Sequence, residues 1–192
     1  MDLTALLTPF VLIFLSELGD KTQICAIILS SKGSASSVFL GAMTAFLMVD
    51  GLSALLGGEL LALMPHGILG LITGLVFIFF GLISLLYKSK SVLCERSGKT
   101  LVQTFSLISL MEIGDKTQIA SVLLAAKIGN PILALISIML AFATVTGIGV
   151  LLGYKILRFM PEKYLRIIAS MVFIMFGLIF ILETLLNIEL LP

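Results

Sequence analysis

Two short acidic segments stand out because everything around them is apolar. Glu17-Leu-Gly-Asp-Lys-Thr-Gln-Ile24 and Glu112-Ile-Gly-Asp-Lys-Thr-Gln-Ile119 agree at seven of eight positions and lie 95 residues apart. Each sets a glutamate, Glu17 or Glu112, three residues before an aspartate, Asp20 or Asp115, with Lys21 or Lys116 following. On a helix, residues three and four apart share a face, so the acids would stand together with the lysine beside them. All-oxygen donors of this kind suit hard cations, Ca²⁺, Mg²⁺ or Mn²⁺. Neither segment holds the His or the thiolate that would favour a softer metal, while Gln23 and Gln118 offer carbonyl oxygens and Thr22 and Thr117 hydroxyls. Four carboxylates against two ammonium groups leave two negative charges, which one divalent cation would neutralise. Gly19 and Gly114 weaken a helix inside each segment, and would permit either close packing or local unwinding.

A purely structural role is the competing reading. Glu17 with Lys21, and Glu112 with Lys116, are favourable i, i+4 pairs that could act as buried staples. Such a staple leaves Asp20 and Asp115 uncompensated, which is costly in a low-dielectric setting. Asp50 is divided evenly between a proton-path carboxylate and a hydrogen-bond partner. Glu59 and Glu183 read as interfacial, and His66 as a loop residue.

The elements that position these residues are membrane spans. Of the 192 residues, 59% are hydrophobic and 12% charged, against roughly 25% charged in a soluble domain. Mean hydropathy is +1.22. Stretches long enough to cross the roughly 30 Å hydrocarbon core run over Leu3–Leu29, Ser36–Leu63, Ile68–Tyr87, Leu101–Ala126, Ile132–Leu157 and Tyr164–Leu186. They are continuously apolar, which favours helices over the alternating strands of a barrel. The first span is too long for a signal peptide and is expected to be retained. Both motifs fall mid-span, where a lone charge costs roughly 2.5–3.5 kcal/mol on the most lenient scale. The charges must therefore face each other, water or an ion.

The motif repeat extends to whole halves. Phe77-Ile-Phe-Phe-Gly-Leu-Ile83 matches Phe173-Ile-Met-Phe-Gly-Leu-Ile179 at six of seven positions, now 96 residues apart, and Met64-Pro65 matches Met160-Pro161. Asp50 has Thr146 as its counterpart. Three spans per copy make the second copy enter from the opposite side, giving two inverted repeats with a site between them near the midplane. The expected organisation is residues 1–87, a cytoplasmic linker over 88–100, and 101–192. Orientation follows from Lys and Arg. With both termini outside, the inner loops hold nine, namely Lys32, Lys88, Lys90, Arg96, Lys99, Lys155, Arg158, Lys163 and Arg166, and the outer loops only Lys127. Tyr87, Tyr154 and Tyr164 then sit at the cytoplasmic interface. Cys25 in a span and Cys94 in a reducing-side loop are expected to stay unbonded. Gly70-Leu-Ile-Thr-Gly74 and Gly149-Val-Leu-Leu-Gly153 read as helix-packing patterns, and the Lys88–Lys99 run as a solvated loop, not a nucleic-acid patch.

Two copies of Glu-x-Gly-Asp-(Lys or Arg)-(Thr or Ser) mark a membrane family that includes eukaryotic Golgi calcium/manganese transporters and bacterial manganese exporters. Glu17–Thr22 and Glu112–Thr117 fit that pattern without departure, and the chain resembles the family over nearly its whole length. The resemblance implies exchange of a divalent cation for protons, with Mn²⁺ or Ca²⁺ as substrate and the motif acids as ligands. It also implies a protein of the cell (inner) membrane, of bacterial type, with no cofactor. No catalytic residue is expected. An intramembrane enzyme acting on lipid phosphates would want Arg, Ser or His beside the acids, and a passive cation channel would not want two lysines at its narrowest point. Oligomeric state, and Mn²⁺ against Ca²⁺, are left open by the sequence.

Overall fold

The structure is a computed structural model and describes residues 3–86, 94, 100–152 and 162–186. Those residues form helices, with no strand among them: α1 (Leu3–Glu17), α2 (Lys21–Lys32), α3 (Ala35–Phe46), a π-helical turn (Leu47–Gly51), α4 (Leu52–Leu61), α5 (His66–Leu86), α6 (Thr100–Glu112), α7 (Lys116–Ile128), α8 (Pro131–Leu152) and α9 (Glu162–Leu186). Local chemistry sets their ends. The Ser34 hydroxyl accepts from the Ser37 amide at the start of α3, and Asn130 accepts from the Leu133 amide ahead of Pro131, the first residue of α8. Gly129 closes α7 in the left-handed conformation, as helix C-termini favour.

Four stretches are long and apolar enough to cross a membrane unaided: Ala35–Leu61, His66–Leu86, Pro131–Leu151 and Lys163–Leu186. Helices α1 and α2 meet the requirement only together, as a pair bent by 67°. The unbroken first span expected over Leu3–Leu29 is therefore two helices. The expected fourth span is likewise divided into α6 and α7, of 13 residues each, or about 20 Å apiece at 1.5 Å per residue. The cause is the same in both: Gly19 and Gly114 have φ of 75° and 77°, a left-handed conformation that a helix cannot contain and that residues with a Cβ avoid.

Large apolar side chains cover the outside, among them Leu7, Leu60, Leu75, Leu86, Leu140, Leu151, Met171 and Leu182. A surface of this extent suits lipid rather than water. The protein is an integral membrane protein. Inside, counterpart residues of the two halves meet each other. Phe46 stacks on Phe142 with ring centroids 4.0 Å apart, and Phe77 meets Phe173 edge-on at 5.4 Å. Helices α5 and α9 run antiparallel: Gly70 lies against Thr184, Gly74 against Gly177 and Ile181, and Gly81 against Ile174. A Cβ at Gly74 or Gly177 would sit 2.7 Å from the other's carbonyl oxygen, so the glycines allow backbone contact at this crossing. Gly149 instead packs on the Gln23 and Ile27 side chains; Gly153 lies outside the described residues, as do most of the 88–100 linker and the interfacial Tyr87 and Tyr154.

One expectation is overturned. Cys25 and Cys94 form a disulfide, with Cα atoms 5.5 Å apart and 69 residues between them. Both are buried. The expectation of free thiols rested on a linker on the reducing, cytoplasmic side; Cys94 is instead buried and bonded to Cys25 of α2.

Candidate metal centre

Each motif occupies a break between two helices rather than one helical face. Glu17 and Glu112 are the last residues of α1 and α6, and Asp20 and Asp115 stand in the extended conformation at the N-cap positions of α2 and α7. The turns are closed by Asp20 N–H donating to the Glu17 carbonyl and Asp115 N–H to that of Glu112. Neither aspartate caps its own helix with its side chain, so both carboxylates remain available for longer-range work. Bracing comes from the glutamines. The Gln23 side-chain oxygen accepts from Gly19 N–H at 2.6 Å and that of Gln118 from Gly114 N–H at 2.7 Å. The amide nitrogens then tie each break to the other half: Gln23 Nε2 donates to the Val145 carbonyl of α8, and Gln118 Nε2 to Ser53 Oγ of α4.

The lysines pair across the motifs. Lys21 Nζ is 2.8 Å from Asp115 Oδ1, and Lys116 Nζ is 2.9 Å from Asp20 Oδ1. The i, i+4 staples of the competing structural reading are not formed among the described residues; this reciprocal exchange stands in their place, because the glycine turn swings each lysine out of line with its own glutamate. Lys116 also donates to the Ser16 carbonyl. The glutamates are held by threonines, Thr22 donating to Glu17 Oε2 at 3.2 Å and Thr117 to Glu112 Oε2 at 3.1 Å. Glu17, Glu112, Thr22 and Thr117 are all buried.

One oxygen on each of three acids is left over. Glu17 Oε1, Asp20 Oδ2 and Glu112 Oε1 are buried without a hydrogen-bond partner among the described residues. Such groups are expensive unless something else satisfies them. Glu17, Asp20 and Asp115 each bring a carboxylate oxygen within 4.8 Å of the other two, close enough to share one ion. Both motifs thus contribute to one cluster. Glu112 is outside this triad.

Asp50 is fully buried on the π-turn, and neither of its oxygens has a hydrogen-bond partner among the described residues. The hydrogen-bonding role considered for it is not observed. Glu183, expected at an interface, is buried and bonds Lys127 at 2.7 Å. The helix break was written in the sequence after all: Asp20-Lys-Thr-Gln23 and Asp115-Lys-Thr-Gln118 are capping-box patterns, each directly after a glycine. The cross-motif pairing had no such local signal.

The family model for the divalent cation/proton antiporter GDT1 matches residues 5–92 and 100–187. Among known proteins, the chain is 27% identical to the chloroplastic protein PAM71 of Arabidopsis thaliana over 92% of its own length and 56% of that protein's. It is 24% identical to a chloroplastic GDT1-like protein of Oryza sativa over 94% of its own length and 62% of that protein's. It is 28% identical to a GDT1-like protein of Synechocystis over 79% of its own length and 94% of that protein's. The chain thus spans somewhat over half of the two chloroplast relatives. No solved structure matches it. With the family model covering nearly all of both halves, and both motif breaks inside the match, the chain belongs to the GDT1 family, a family of divalent cation/proton antiporters and not of enzymes.

Proposed function

We propose that this protein exchanges a divalent cation for protons across the cell membrane, exporting the metal from the cytoplasm, with Mn²⁺ as the substrate and Ca²⁺ as the alternative. One observation carries the reading: carboxylates of both motifs, Glu17, Asp20 and Asp115, converge within 4.8 Å. Glu112 completes the acid set, Lys21 and Lys116 trim its charge, and Gln23, Gln118, Thr22 and Thr117 hold the acids in place. Carboxylate oxygens must shed protons to bind a metal. Metal and protons therefore compete for the same atoms, and a site open to one side at a time turns that competition into exchange.

The proposed architecture is six spans in two inverted three-helix repeats, with both termini outside, two of the spans being broken at the site. Reciprocal contacts support it: Lys21 on Asp115 and Lys116 on Asp20, with α5 and α9 antiparallel. Broken helices at a repeat interface are a recurring way to build ion sites in transporters.

The test uses purified protein in proteoliposomes with a pH-sensitive dye inside. Addition of Mn²⁺, then Ca²⁺, to one side should move protons to that side, and Glu17→Gln and Glu112→Gln should both abolish the signal. Metal crossing without proton movement would replace the antiporter with a channel.

A further inference from the structure

The two helix breaks are braced alike but anchored differently. In each, the glutamine oxygen accepts from the glycine N–H, which leaves the Nε2 group as a donor in need of an acceptor. Gln23 finds one in the main-chain carbonyl of Val145 on α8, at 3.1 Å. It reaches the backbone because Gly149 lies alongside: a Cβ there would stand 3.2 Å from the Gln23 side chain. The repeat sets Ser53 opposite Gly149, 96 residues earlier, and there the second glutamine stops on a side chain, with Gln118 Nε2 at 2.8 Å from Ser53 Oγ. Packing keeps that hydroxyl beside Gln118. Helices α4 and α7 lie in parallel register, Gly57 against Val122 and Gly58 against Ala125. The second break also has less else around it. Gly114 is exposed, and nothing among the described residues lies within 4 Å of a Cβ built on it, whereas Gly19 lies against Leu165 of α9.

We propose that Ser53, which lies outside both motifs, is a positioning residue of the metal centre: its hydroxyl oxygen anchors Gln118, Gln118 sets the Gly114 turn, and the turn carries Asp115 to Glu17 and Asp20. This deepens the metal-binding reading above and rests on it. Asp115 is the acid that the second motif brings to the cluster, and it directly follows Gly114. Its carboxylate is held by Lys21 and Thr117. An arriving cation competes with that ammonium, and the backbone turn must then keep Asp115 in place. Small displacements matter at such a site, because its ligands have to be held by the shell of contacts behind them. The first break needs no counterpart of Ser53, since a helix carbonyl cannot be removed by substitution and does not rotate. The two motifs are therefore alike in sequence but unequal in support, and the second is the one that a single side chain outside it can loosen.

The discriminating measurement is calorimetric Mn²⁺ binding to purified full-length protein. Ser53→Ala should weaken it by about three- to tenfold, the range that one net hydrogen bond supports. Ser53→Thr, which keeps an acceptor oxygen, should bind within about twofold of wild type, well inside that range. Ser53→Val has the shape of the threonine without its hydroxyl; it should bind like the alanine variant and serves if that one fails to fold. Gln118→Leu should weaken binding as well, and adding Ser53→Ala to it should weaken binding no further, because the two act through one bond. Wild-type affinity in a folded Ser53→Ala or Ser53→Val overturns the assignment. Equal losses in the threonine and valine variants overturn it too, since size and not the hydroxyl would then matter, and additive losses in the double variant would break the route through Gln118. Wild-type Mn²⁺ binding in Asp115→Asn would overturn the metal centre itself, whatever Ser53 does.

Discussion

Each motif lysine rests on the aspartate of the other motif, and this has consequences for the metal. The Lys21 ammonium holds Asp115 Oδ1 at 2.8 Å, on one of the three carboxylates that converge. A divalent cation must compete with that ammonium for the same group. Lys21→Met should therefore bind Mn²⁺ more tightly, by about tenfold if about 1.4 kcal/mol of competition is removed. The metal-free protein should lose stability, because the partly buried Asp115 carboxylate is left without its ammonium partner, a loss of about 1–3 kcal/mol. Calorimetry and thermal unfolding on the same sample check both, and weaker Mn²⁺ binding would mean that Lys21 shapes the site rather than competing for it. Sequence made the residue types legible here. It could not say which lysine meets which aspartate, because i, i+4 spacing offered a plausible wrong partner in each motif.

At the scale of elements, the decisive features are the two breaks. Gly19 and Gly114 share the same left-handed backbone but not the same surroundings. A Cβ at Gly19 would collide with the Leu165 side chain of α9, whereas at Gly114 nothing among the described residues lies within 4 Å. Gly114→Ala should cost about 1–2 kcal/mol, the ordinary penalty for an L-residue in that conformation. Gly19→Ala should cost more, since α9 must also give way. Thermal unfolding in detergent would rank them, and equal losses would show that Leu165 moves aside freely. The glycine and the capping-box glutamine were both readable in the sequence. Continuous hydropathy across each motif outweighed them in the reading of unbroken spans, since apolar length says where a chain lies in a membrane and not whether its helix is intact.

For the whole molecule, the Cys25–Cys94 disulfide closes a loop spanning a sequence separation of 69 residues. In the chain-entropy account a loop of that size is worth about 4 kcal/mol. Cys94→Ser should lower the unfolding temperature, and a reductant that lowers the wild type should leave the variant unchanged. A reductant effect of equal size on both would place its action elsewhere.

What the sequence determined by itself is the solvent, the duplication and the identity of the acids. These depend on composition and on residue types at fixed spacing, which hold wherever the chain goes. What the tertiary structure decided is which groups meet: lysines exchanged between motifs, Asp115 joined to Glu17 and Asp20 while Glu112 stands apart, and Cys94 brought to Cys25. Those pairings span 69 to 98 residues. They follow from how two bent helix pairs pack against each other, and spacing along one chain carries no measure of that distance.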